Sequence, residues 1–272
     1  MAALQSLDFQ GCRLAYRVDG SGPPLVMIQG VGAQGTSPNP QIERLAKHYA
    51  CLSFDNRGIG ASQPVGGPLT STQMAKDTLA LMDRRGWPSA HIVGHSFGSI
   101  VALQVALLNK ARVRSLSLLC AFARGEDAVD LSVRLIWIIV RLRHAPRKIR
   151  RQAFLELVLP PGHPELHSEK MAARISAIVG HDVAEMPPIT SQQVKAMRKS
   201  DVTSRLHELA GIPTLVINGG KDMIARPELG RALAAGIPGA RYVEIPEAGH
   251  SLPIIDPDRC AGIVLEHLGK VV

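Results

Sequence analysis

One serine in this chain stands in a setting suited to nucleophilic chemistry. Gly94-His95-Ser96-Phe97-Gly98 follows the apolar run Ala90-His91-Ile92-Val93 and precedes a helix-like apolar stretch at 100–108. G-x-S-x-G between a strand and a helix describes a sharp turn that lifts the serine hydroxyl to its apex. The residues two before and two after approach each other there, and only glycine leaves room. A serine hydroxyl is a poor nucleophile until a base takes its proton. Of the ten histidines, His250 is the strongest base, because Pro246-Glu247-Ala248-Gly249-His250-Ser251 is a polar loop between the last strand-like and last helix-like runs. His95 adjoins the serine, but neighbours on such a turn face different ways. An imidazole base needs a carboxylate to fix its tautomer. Asp222, after the strand-like Leu215-Val216-Ile217-Asn218 and the pair Gly219-Gly220, is the first choice. Glu126 and Asp127, beyond the apolar run ending at Cys120, are the alternatives. Acyl transfer also needs two donors for the developing oxyanion. The backbone N–H of Phe97 supplies one, and that of Val31, in the loop Gln29-Gly30-Val31-Gly32, supplies the other.

The elements that must hold these groups follow from hydrophobic pattern. Arg13-Leu14-Ala15-Tyr16-Arg17-Val18 alternates with period two and suits an antiparallel strand. Leu25-Val26-Met27-Ile28 is a continuous apolar run, as expected of a strand covered on both faces. Asn39-Pro40 starts a helix reaching about Tyr49, and Cys51-Leu52-Ser53-Phe54 is a further strand. A helix runs from Ser71 to Arg85, with Thr70 and Gln73 spaced for a capping box. Strand and helix alternate to about residue 124, stop, and resume after 207. That alternation predicts an α/β fold with a parallel sheet, interrupted by a basic helical insertion.

Composition agrees. The chain has 272 residues, 46% apolar, enough for one large core. Cys12, Cys51, Cys120 and Cys260 form no metal-like pair and read as free thiols of a reducing compartment. No secretory leader or bilayer-spanning run is apparent, so a cytoplasmic location is expected. The net charge of +8 is concentrated in Arg134, Arg141, Arg143, Arg147, Lys148, Arg150 and Arg151. A local cluster of this kind is a solvated helix face rather than a nucleic-acid surface. Nucleic-acid binding and membrane association are not expected, and neither a metal nor another cofactor is called for.

Taken together these residues resemble the α/β-hydrolase fold superfamily, of the type with a helical cap. The likeness rests on the Ser96 turn, on Asp55-Asn56-Arg57-Gly58-Ile59-Gly60-Ala61-Ser62, on Gly219-Gly220-Lys221-Asp222 and on Gly249-His250, in the chain order serine, acid, histidine. It implies a mostly parallel eight-stranded sheet with helices on both faces. The core is divided into 1–124 and 208–272, with a cap at 125–207. It implies a serine hydrolase cleaving a small or medium carboxylic ester through an acyl-enzyme on Ser96, His250 and Asp222. The same triad supports carbon–carbon bond, lactone or thioester hydrolysis and perhydrolysis, and a ligand-binding protein on the same scaffold is the reading outside enzymes. The chain is expected to act as a monomer or homodimer on a small-molecule substrate. Where such proteins often carry His-Gly, this chain has Gln29-Gly30, which makes Gln29 a candidate substrate contact or loop support.

The insertion begins with an apolar stretch containing Ile136, Trp137 and Val140, which are expected to cover the nucleophile. Its arginines suggest steering of an ester that carries a carboxylate.

Overall fold

The computed structural model describes residues 2–128 and 132–271. Eight strands form one sheet: β1 (Gln5–Phe9), β2 (Cys12–Asp19), β3 (Pro24–Ile28), β4 (Ala50–Phe54), β5 (Ala90–His95), β6 (Val113–Leu119), β7 (Thr214–Gly219) and β8 (Arg241–Ile245). Their spatial order is β1-β2-β4-β3-β5-β6-β7-β8. β1 and β2 pair antiparallel, as do β2 and β4, and every later pairing is parallel. The central strands are sequestered on both faces, so Leu25 to Ile28 and Leu215 to Ile217 are apolar without alternation. β1 is an edge strand of mixed polarity and mostly exposed, which is why no hydrophobic pattern announces it.

Helices cover both faces. On one side α1 (Pro40–Leu45) packs with α10 (Pro257–Leu268), beside the short α9 (Leu252–Ile255). Elsewhere α2 (Ser71–Arg84) packs with α3 (Phe97–Leu108), and α8 (Pro227–Gly236) lies on β7 and β8. The Asn39 side chain caps α1 by accepting from the Gln41 and Ile42 N–H groups, with Pro40 in the first turn. This helix ends at Leu45, short of Tyr49. Thr70 caps α2 by accepting from the Gln73 N–H at 3.0 Å, but the Gln73 amide donates to Asp77 at 3.1 Å, leaving the capping box half made.

The Asp55–Ser62 segment fixes the loops around β4. Asp55 accepts from the Thr36 N–H and hydroxyl and from the Ala61 N–H, at 2.8 to 2.9 Å. Arg57 is fully buried and makes a two-pronged pair with Asp77, at 3.0 and 2.6 Å. Its remaining donors reach the carbonyls of Val65, Gln10 and Gly66. These groups are spent on architecture.

Between β6 and β7 the chain leaves the sheet and forms α4 (Val133–His144), α5 (Arg147–Val158), α6 (Glu169–Val179) and α7 (Thr190–Arg198). α5 and α6 share a small apolar cluster of their own, including Leu155, Met171 and Ile175. α4 packs chiefly on α5. The four cysteines are buried free thiols.

Candidate active site

Ser96 sits at the end of β5 with φ 55° and ψ −122°, a left-handed conformation that costs about 1–3 kcal/mol in an ordinary residue. The glycines around it explain how the turn is possible. A Cβ on Gly94 would lie 2.4 Å from the Gly98 carbonyl oxygen, and one on Gly98 would lie 2.2 Å from that of Ile28. The turn is tied back by the Ser99 hydroxyl, which donates to the Ser96 carbonyl at 2.6 Å.

Two loops from distant parts of the chain meet this serine. His250 Nε2 lies 2.9 Å from Ser96 Oγ, and His250 Nδ1 lies 2.8 Å from Asp222 Oδ2. The other Asp222 oxygen accepts from the Ile224 and Ala225 N–H groups at 2.8 and 2.9 Å. Burial alone would raise the Asp222 carboxyl. The neighbouring imidazole and the two amides outweigh it and hold the group below its ordinary value. The Nδ1–carboxylate bond fixes the imidazole with its proton on Nδ1, so Nε2 is an acceptor facing the hydroxyl. Glu126 is exposed and paired with Arg124, away from this cluster.

His95 lies against His250, ring centroids 5.3 Å apart, with its Nε2 3.2 Å from the His250 carbonyl. A carbonyl only accepts, so this nitrogen carries the proton. Burial, helped by the adjacent His250 imidazole, drops its pKa to about 4. His95 is therefore a neutral prop for the His250 backbone. Cys120 donates to the same carbonyl at 3.4 Å, and burial pushes its thiol well above the usual range. Cys120, Asp222 and His250 lie close enough to reach one ion. Their hydrogen-bonding positions are already occupied as described.

The loop after β3 lies over the serine. A Cβ on Gly30 would come within 3.0 Å of Ser96 Cβ. Two amides of this loop are held by the helical insertion. Gly32 donates to Gln193 Oε1 at 2.8 Å, and Gln34 donates to the Val179 carbonyl at 2.9 Å. Among the described residues neither the Val31 N–H nor that of Phe97, which opens α3, finds an acceptor. Both are thus available to an oxygen placed beside Ser96. His181 Nε2 contacts the Gly32 carbonyl at 3.0 Å, so the helical insertion grips this loop at three points.

A cavity of about 240 Å³ opens above the serine, with Ser96, His250, Gln29 and Val31 in its wall. The opposite wall comes from α5, α6 and α7 through Phe154, Leu157, Ile175, Ile178 and Val194. Among the described residues no arginine or lysine lines it. Three arginines of the insertion are instead matched to carboxylates. Arg141 pairs with Glu156, Arg147 with Asp182, and Arg151 with both Asp182 and Glu169. Among the described residues, Gln29 and Thr190 of the cavity wall each carry a buried polar atom, Nε2 and Oγ1, without a partner.

Three expected contacts are not brought to the cavity. Trp137 is 61% exposed, and Ile136 and Val140 are also largely exposed, on the side of α4 away from the core. The helix carries two apolar stripes, and Leu135 and Ile138 form the buried one. Residues that hydrophobic pattern did not single out, Phe154, Leu157 and Ile178 among them, take their place. Each sits in an ordinary amphipathic helix, where a pocket-lining side chain looks like a packing one. The spacing of Gln193 and Thr190 carried no signal either.

The sheet order, the crossover topology and the strand-end location of Ser96, Asp222 and His250 are those of an α/β hydrolase. The pattern of the alpha/beta hydrolase fold family matches residues 23–257, and the chain belongs to that family. It is 28% identical over 260 residues to "Putative carbamate hydrolase RutD" of Azorhizobium caulinodans, covering 95% of this chain and 96% of that protein. It is 32% identical over 256 residues to "Putative non-heme bromoperoxidase BpoC" of Mycobacterium tuberculosis, covering 87% and 90%. Among solved structures, the enol-lactonase from Burkholderia xenovorans LB400 superposes with a TM-score of 0.81 at 28% identity, covering 98% of this chain and all of that one.

Proposed function

We propose that the protein is a serine hydrolase acting on small, uncharged, largely apolar carboxylic esters. The observation that carries this reading is the hydrogen-bonded chain Ser96–His250–Asp222 at the floor of an apolar cavity. His250 removes the Ser96 proton as the oxygen attacks the carbonyl carbon. The Val31 and Phe97 amides hold the oxyanion. His250 then gives the proton to the departing alcohol, and water, activated by the same imidazole, releases the acid from Ser96. Cap residues Phe154, Leu157 and Ile178 bind the apolar part of the substrate. Because no lysine or arginine among the described residues lines the cavity, a carboxylate-bearing ester would be buried without a partner, which is costly. The arginine-steering expectation therefore gives way to a neutral substrate.

A second reading within the same chemistry is a cyclic ester. The unpartnered Gln29 Nε2 and Thr190 Oγ1 favour a substrate with an oxygen beyond the scissile carbonyl, and one relative of this fold is an enol-lactonase. The test is a screen of matched alkyl esters, anionic esters, lactones, thioesters and carbamates, with Ser96→Ala as control, alongside fluorophosphonate labelling. Labelling at Ser96 and turnover of neutral esters or lactones are expected. No label on the folded protein would overturn the reading in favour of a ligand-binding role.

A further inference from the structure

Of the large apolar side chains that are exposed among the described residues, five lie on α4: Val133, Ile136, Trp137, Ile139 and Val140. At 100° per residue, Val133, Trp137 and Val140 form one stripe pointing directly away from the buried stripe of Leu135 and Ile138. Val133 is 85% exposed. Leaving this much apolar surface in water on one short element marks an interaction face rather than scattered exposure.

The charge beside the stripe identifies what it fits. Arg134 and Arg143 flank it on opposite sides of the helix, and Lys148 follows in the first turn of α5. All three are exposed. Among the described residues none of these three is held in an ion pair, in contrast to Arg141, Arg147 and Arg151. No helix among the described residues is long and apolar enough to cross a membrane, and α4 has only 12 residues. A helix of this length with an apolar ridge, a tryptophan and basic flanks matches the chemistry of the bilayer interface. Its ridge can enter the acyl boundary while the cationic heads meet lipid phosphates. A second copy of the chain is a poorer fit, because a two-fold contact through α4 would set Arg134, Arg143 and Lys148 against their own equivalents.

We propose that α4 docks the protein reversibly on an anionic phospholipid surface. α4 and α5 together separate the lipid from the cavity, so docking holds the apolar cavity about two helix diameters, ~20 Å, from the membrane surface. The interface itself depends only on the outer face of α4 and not on catalysis.

The test is co-sedimentation of the full chain with vesicles of 70% phosphatidylcholine and 30% phosphatidylglycerol, against pure phosphatidylcholine, at low and high salt. Binding to the anionic vesicles that weakens with salt is expected. Each basic residue near such a surface contributes about fivefold to partitioning. Arg134→Glu/Arg143→Glu should therefore bind at least about 25-fold more weakly, and Trp137→Ser/Val140→Ser should also lose most of the binding. Both variants should keep the parent's melting temperature, and Ser96→Ala should bind vesicles like the parent. No binding to anionic vesicles at low salt would refute the proposal. So would binding unchanged in both α4 variants. A dimer in sedimentation velocity that Trp137→Ser/Val140→Ser dissociates would replace the lipid with a second copy and also refute it.

Discussion

Asp222→Asn tests the proposed triad most directly, because the structure dictates which way the new amide must face. In the parent, Asp222 Oδ1 accepts from the Ile224 and Ala225 N–H groups, and Oδ2 accepts from His250 Nδ1. An asparagine keeps both amide bonds only with its oxygen at the first position, which turns its NH₂ toward Nδ1. Nδ1 must then accept, the imidazole proton moves to Nε2, and Nε2 faces Ser96 Oγ as a donor unable to take its proton. Flipping the amide restores the tautomer but leaves two buried N–H groups unpaired, at about 1–3 kcal/mol each. Reaching a working state thus costs about 2–6 kcal/mol, and each ~1.4 kcal/mol is tenfold in rate. The upper part of that range matches the ~10⁴ loss seen when the equivalent change is made in the general serine-protease triad. Turnover of p-nitrophenyl butyrate is the assay, with melting temperature as the control for folding. The expected result is a fall of about 10³–10⁴ in kcat with a near-parental melting temperature. A variant within tenfold of the parent would show that Asp222 does not set the tautomer, and Glu126→Gln and Asp127→Asn would then be examined.

Three other perturbations have expected outcomes. Gln193→Ala leaves the Gly32 N–H without its acceptor and loosens the loop carrying Val31, so kcat should drop about tenfold with KM little changed; steady-state kinetics on one neutral ester separates the two. Arg57→Met leaves Asp77 buried and unpaired, at about 3–5 kcal/mol, and scanning calorimetry should show a melting temperature lowered by about 10 °C. Burial lowers His91 and His95 to about 4 from 6.5, so both are neutral in the folded and unfolded chain above that value. Below it the unfolded chain takes protons first, and stability should fall between pH 6.5 and about 4 by up to ~1.4 kcal/mol per pH unit for each group. Urea midpoints across that window give the slope, and a flat profile would contradict it.

The readable parts of this chain are those where one local constraint permits few residues. The Ser96 turn is legible because steric crowding excludes anything but glycine at 94 and 98. Asp222 and His250 are legible because a polar loop directly after a continuous apolar strand has one place to be, the carboxyl edge of the sheet. The insertion is different. The composition of α4 shows apolar residues on almost every side, and helical period cannot say which stripe meets the core. Ile136, Trp137 and Val140 were expected inside for that reason, and they lie outside. Phe154 and Ile178 reach the cavity only because α5 and α6 pack at particular angles, a property of their three-dimensional contact rather than of either helix alone. β1 escaped notice because an exposed edge strand has no face to bury.

The three contacts from the insertion to the loop after β3 have a consequence for redesign. Gln193, His181 and Val179 hold the backbone that carries the proposed Val31 oxyanion amide. Transplanting the helices of a relative to change substrate range would replace those anchors along with the pocket wall. A chimaera should therefore inherit its recipient's turnover only when the donor segment supplies groups equivalent to these three, and grafts chosen for pocket shape alone should bind new esters while cleaving them slowly.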